Sequence, residues 1–150
     1  LLINLLIQTN QLKEAEETLN GIIPSYTDIL RLRCLTEIIK YKKGDKASVI
    51  NFIEGTLKSN PSNSVVFHDL GNLCIKIEEY AKAIELLERY LAAFPADAMT
   101  VANIATCYAK LGRFDAAVIG LEAALKLDPR CNYAIQNLAI LKRKMQLSLI

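Results

Sequence analysis

The chain has 150 residues, 52% of them hydrophobic and 23% charged, with a formal net charge of +2; its pI is near 8.4 and its mean hydropathy +0.21. No apolar run reaches the roughly 18–20 residues that span a bilayer, and so small a positive charge offers no basic face of the kind nucleic acid requires. The four cysteines, Cys34, Cys74, Cys107 and Cys131, form no CxxC pair, and the single histidine, His68, is not spaced with them as a zinc ligand; free, buried thiols in a reducing cytoplasm are expected, with no metal and no cofactor.

The first residues, Leu1-Leu2-Ile3-Asn4-Leu5-Leu6-Ile7, open in the middle of a helical pattern, with no initiating Met and no charged region of a signal peptide before them. Together with the apolar end, Leu147-Ser148-Leu149-Ile150, they read as a fragment of a longer protein. Further along, Pro61, Pro95 and Pro129 stand 34 residues apart. Such a spacing marks an internal repeat, and at ~34 residues the unit is a helix–turn–helix pair.

The best unit starts after Pro61, where Ser62, Asn63 and Ser64 can cap a helix. Val66, Phe67, Leu70, Leu73, Cys74 and Ile77 then recur every three or four residues, as one face of a helix does. Tyr80, Ala83, Ile84, Leu87 and Leu91 restart the pattern, and Phe94-Pro95 ends it, because proline disfavours helix at the residue before it. The next unit repeats these steps: Asp97 can cap, Val101, Ile104, Ala105 and Tyr108 form the first face, and Gly112 supplies the turn. Phe114, Ala117, Val118, Leu121, Ala124, Leu125 and Leu127 form the second face, and Asp128-Pro129 closes it.

Shifting Gly112 by whole periods gives Glu78, Gly44 and Asn10, and Gly and Asn are suited to a left-handed turn. Five residues after each come Ala117, Ala83, Val49 and Ala15, where two closely crossing helices need small side chains. The frame predicts a partial repeat over residues 1–27, an irregular one over 28–61, regular ones over 62–95 and 96–129, and a last helix in 130–150 that is either a cap or a repeat cut short. Pro24 falls out of frame, and Glu37, Lys40 and Tyr41 depart from the pattern. Irregular geometry is therefore expected in the first third.

Phe67, Leu70, Gly71, Ala83 and Pro95, then Tyr108, Gly112, Phe114, Ala117, Ala124 and Pro129, resemble the signature of the tetratricopeptide repeat family. The resemblance covers the whole chain and is clearest from about residue 60 to 128. It implies an all-α fold, a right-handed α-solenoid of antiparallel helix pairs whose first helices line a concave groove. It also implies a non-catalytic scaffold that binds a peptide or helix of a partner protein there. Two alternatives stand beside it: self-assembly into a homo-oligomer through the apolar ends, and a docking or regulatory part of a larger enzyme whose catalytic domain lies elsewhere.

Little in the chain suggests chemistry of its own. With one histidine there is no metal pair, and neither GxSxG nor GxxxxGK[ST] occurs. A nucleophilic Cys34 with His68 as base is conceivable across neighbouring repeats, but no third group is placed to orient the base.

On the implied groove two ladders fall. Asp69, Asn103 and Asn137 are one period apart, with Asn72 one turn from the first; amides both donate and accept, so a row of them can bracket a peptide main chain. Lys42, Lys76, Lys110 and Lys144 form the second, and four ammonium groups spaced by about 10 Å would add their attraction for an acidic segment. The lysines also sit where a helix C-terminus favours positive charge by ~0.3–1 kcal/mol, and both ladders match the family's average pattern. The candidate peptide-binding residues are thus His68, Asp69, Asn72, Lys76, Asn103, Lys110, Asn137 and Lys144. Relatives that clamp a chaperone's C-terminal carboxylate need cations where this chain has His68, Tyr133 and Asn137, so that clamp is not expected here.

Overall fold

The period reappears first in the backbone. In the computed structural model, which describes residues 2–21, 29–59 and 61–147, Asn10, Gly44, Glu78 and Gly112 all have positive φ, at 62°, 96°, 64° and 77°. After three of these turns the same kind of hydrogen bond closes the preceding helix. Gln11 N donates to Leu6 O, Asp45 N to Lys40 O and Arg113 N to Tyr108 O, at 2.8, 3.0 and 2.9 Å; these six-to-one bonds satisfy carbonyls that the helix end leaves without partners. Two residues after each turn a new helix begins, at Leu12, Lys46, Tyr80 and Phe114.

Among the described residues there are nine helices and no strand: α1 (Leu2–Gln8), α2 (Leu12–Asn20), α3 (Ile29–Lys42), α4 (Lys46–Lys58), α5 (Val65–Lys76), α6 (Tyr80–Leu91), α7 (Ala98–Lys110), α8 (Phe114–Leu127) and α9 (Asn132–Leu147). Asp45 caps α4 by accepting from Ser48 N at 3.0 Å. Asp97 caps α7 likewise from Thr100 N at 3.1 Å and also accepts the Thr100 hydroxyl, which leaves that fully buried threonine satisfied. None of these helices is long and apolar enough to cross a membrane.

The chain groups into two compact units, residues 1–77 and 78–150, dividing at the Glu78 turn inside the expected 62–95 repeat. In the first unit α1 packs on α2, α3 on α4, and the first helices α1, α3 and α5 run side by side. Its core gathers Ile3, Leu6, Ile7, Ala15 and Ile39. In the second unit α7 packs on α6, α8 and α9, and Ala102, Ala105, Ala117, Leu121, Ala124, Cys131, Ala134 and Leu141 form the core.

The small residues do what the crossing geometry requires. Ala15, Val49, Ala83 and Ala117 have no solvent exposure. Helices α7 and α8 meet still more closely at a second point: a Cβ added to Gly120 would lie 2.7 Å from the Cβ of Ala105. A glycine is needed there for backbone approach, not for turning.

The frame's weak region behaves differently from expectation. The deviation at Pro24, and the proposed boundary between residues 27 and 28, lie outside the described residues. Through residues 37–41, however, α3 is an unbroken helix. What is irregular is the side chain: Glu37 occupies the column that holds Gly71 and Ala105, and it is only 5% exposed. Lys40 Nζ donates to its Oε1 at 2.7 Å, while its Oε2 is buried without a hydrogen-bond partner. A carboxylate so placed is costly to desolvate.

Candidate functional site

Because the first helices of each unit lie side by side, residues one period apart on them come to share recesses. In the first unit a recess of about 340 Å³ is lined by Asn4 of α1, by Arg31, Cys34, Leu35 and Ile38 of α3, and by His68, Asp69, Asn72, Leu73 and Lys76 of α5. Beside it, Asn4, Ile7, Gln8, Ile38, Lys42 and Lys76 line another. Four of the candidate residues thus meet in one place, and two rungs of the lysine ladder share the adjoining recess.

The polar wall of the larger recess is a connected set. Arg31 Nε donates to Asp69 Oδ1 at 3.2 Å, His68 Nδ1 lies 3.6 Å from the same oxygen, and Asn72 Nδ2 is 3.1 Å from His68 Nε2. Burial by itself would raise the Asp69 pKa, but hydrogen bonds from His68 and Arg31, with the charge of Arg31, outweigh it and hold the carboxyl below its ordinary value of 3.8. Asp69 is therefore a fixed anion between two basic side chains. It shares the period of Asn103 and Asn137 but differs from them in carrying charge.

Cys34 faces the same recess, yet burial first, then the neighbouring Asp69 and Glu37 charges, push its thiol up to about 12. Such a thiol stays protonated at neutral pH and is a poor nucleophile. Cys107 is raised to about 11 by burial alone. Cys34, Cys74, Cys107 and Cys131 are all buried and none is in a disulfide. No group of three or more metal-ligating side chains occurs among the described residues.

In the second unit a recess of about 240 Å³ lies among α7, α8 and α9. Ala109, Phe114, Leu121, Ile140 and Leu141 give it an apolar lining, and Thr106, Lys110, Asn137 and Lys144 supply its polar groups. Asn137 Nδ2 donates weakly to Thr106 Oγ1 at 3.4 Å. Lys144 Nζ stands over the Phe114 ring, 4.9 Å from its centroid, an arrangement in which the ring's negative face attracts the cation. The candidates Lys110, Asn137 and Lys144 thus come together, whereas Asn103, half-buried on α7, lines neither recess.

Sequence reasoning passed over Arg31, Asn4, Phe114 and Ile140 as site residues. A signal for the first existed: Arg31 and Asp69 are 38 residues apart, one period plus one helical turn, which places them opposite each other on adjacent first helices. By the same rule Thr106 and Asn137, 31 residues apart, are one period less a turn.

Comparison with known proteins agrees with the fold. Residues 75–139 match the tetratricopeptide repeat family. Among solved structures, MamA in a form designated MSR-1 C2 is 21% identical, covering 94% of this chain and 81% of that one with a TM-score of 0.63. MamA from Desulfovibrio magneticus RS-1, residue 41 to its end, is 20% identical and covers 97% and 82%, with a TM-score of 0.63. YrrB, described as a TPR protein with an unusual peptide-binding site, is 20% identical and covers 96% and 74%, with a TM-score of 0.60. At these identities the likeness concerns the fold alone, which is that of an all-α helical-repeat solenoid. No curated protein matches the sequence.

Proposed function

We propose that this chain, whose residues 75–139 are tetratricopeptide repeats, is a non-catalytic interaction module that holds a peptide or helix of a partner protein against its first helices. The observation that carries the reading is the gathering of the candidate residues: His68, Asp69, Asn72 and Lys76 around one recess and Lys110, Asn137 and Lys144 around another. Each set joins apolar floor to polar rim, which suits side chains of an extended or helical segment. The peptide-binding description of YrrB is in keeping with this. The ladder Lys42, Lys76, Lys110 and Lys144, every member exposed, favours an acidic partner.

A double Lys76→Glu, Lys110→Glu variant tests the charge. Its affinity for a glutamate-rich synthetic peptide, followed by fluorescence anisotropy, should fall at least about tenfold, equivalent to ~1.4 kcal/mol, while its circular dichroism and melting stay unchanged. Undiminished affinity would sink the acidic-partner reading.

A second reading is self-assembly. Leu2 and Leu5 on α1 are 58% and 55% exposed, and Ile135 and Leu147 on α9 are 45% and 66% exposed; apolar side chains held in water favour association. This reading expects a molar mass by light scattering that rises with concentration, and a strict monomer at millimolar concentration eliminates it.

A further inference from the structure

Resting on the peptide-binding reading, we infer that the recess among α7, α8 and α9 is a composite anchor for one apolar side chain with a carboxylate beside it, a leucine or phenylalanine next to an acidic residue. Its size argues for a side chain over a cofactor: about 240 Å³ is below the ~300–1,000 Å³ of small-molecule sites. Its floor is built from buried Leu121 and Leu141, only 1% and 5% exposed, so it is preformed by the core and costs little to order.

The rim selects charge. The lining contains Lys110 and Lys144 and no Asp or Glu. Both lysines lie near the C-terminal ends of their helices, α7 and α9, where their charge is also favoured by the helix dipole. Lys144 is held over the Phe114 ring, so a cation and an aromatic wall are presented together. A carboxylate meeting Lys110 and Lys144 would leave its neighbouring side chain over Ile140, which is 65% exposed at the mouth and would lose that exposure on binding. The recess in the other unit differs in carrying a carboxylate of its own, Asp69, which faces Arg31 and His68.

Two synthetic peptides test the assignment: twelve residues rich in glutamate with one central leucine, and the same with serine in place of the leucine. The leucine should tighten binding about tenfold. Ile140→Asp, or the milder Ile140→Ser, should erase that gain, whereas Ile119→Ser, at an exposed position that lines neither recess, should leave the leucine-to-serine ratio intact. A ratio of one in the unaltered protein, or a gain that survives Ile140→Asp with the fold intact, overturns the anchor while leaving acidic-peptide binding in place. If neither peptide binds, the acidic-peptide reading falls and the anchor with it. If Ile140→Asp instead abolishes concentration-dependent self-association, a second copy fills the recess and the peptide assignment is overturned.

Discussion

Replacing Gly120 by valine should destabilise the protein by about 3 kcal/mol in chemical denaturation, the upper end of the usual overpacking range. The reason is local and rigid. A Cβ at this position would sit 2.7 Å from the Ala105 Cβ and 3.4 Å from its Cα, and neither atom belongs to a flexible side chain that can swing aside. Alanine is the more discriminating probe. It gains ~1 kcal/mol of helix propensity over glycine, which partly offsets a steric cost of ~1–3 kcal/mol, so Gly120→Ala should be neutral to mildly destabilising. With Ala105→Gly already in place the 2.7 Å contact is removed and only the 3.4 Å approach to the Cα remains, so the same change should become stabilising by up to ~1 kcal/mol. A Gly120→Ala variant that stabilises equally in both backgrounds would show that α7 and α8 do not touch at this point.

One residue further along α8, Leu121→Ala should cost ~2–5 kcal/mol, as deletion of a large buried side chain does. Leu121 is 1% exposed, and its neighbours include Ala105, Ala117 and Ala124, short side chains that cannot reach in to refill a cavity. Its neighbour Ile119 is 68% exposed, so Ile119→Ala should stay within ~0.5 kcal/mol. Equal effects of the two would contradict the helix orientation. The leucine change should also enlarge the recess that Leu121 lines, so its stability and its peptide affinity have to be read separately.

Much of this architecture was legible as a period. Asn10, Gly44, Glu78 and Gly112 were picked out by spacing, and all four adopt the left-handed conformation, Glu78 included, although nothing in a glutamate side chain favours it. Period outranks residue type because a turn's geometry is imposed by the helices on either side. Ala15, Val49, Ala83 and Ala117 were equally readable, since a crossing point admits few side chains.

Two things were not legible. Cross-repeat pairs such as Arg31 with Asp69 depend on which turn of one helix faces which turn of the next, so strict 34-residue spacing misses them. Asp69 shares the period of Asn103 and Asn137, and its immediate partners are the basic Arg31 and His68. The other is Glu37. Its departure from the small-residue column was visible, but whether it would bend the helix or bury a charge was not. An intact helix with a buried carboxylate resulted because the Lys40 ammonium lies one turn away and meets one of its oxygens.

The pattern of helix contacts bears on how quickly the chain finds its structure. Within each unit the main packing partners are immediate neighbours along the chain or next neighbours, as α3 with α4 and α5, or α7 with α8 and α9. No large loop has to close before such contacts form, so the entropy lost ahead of the first stabilising contacts is small. Low contact order of this kind goes with rapid folding, and in repeat arrays it lets structure nucleate at any well-formed helix pair and spread. The pair α7 and α8, capped by Asp97 and joined through the Gly112 turn, has the features of such a starting point.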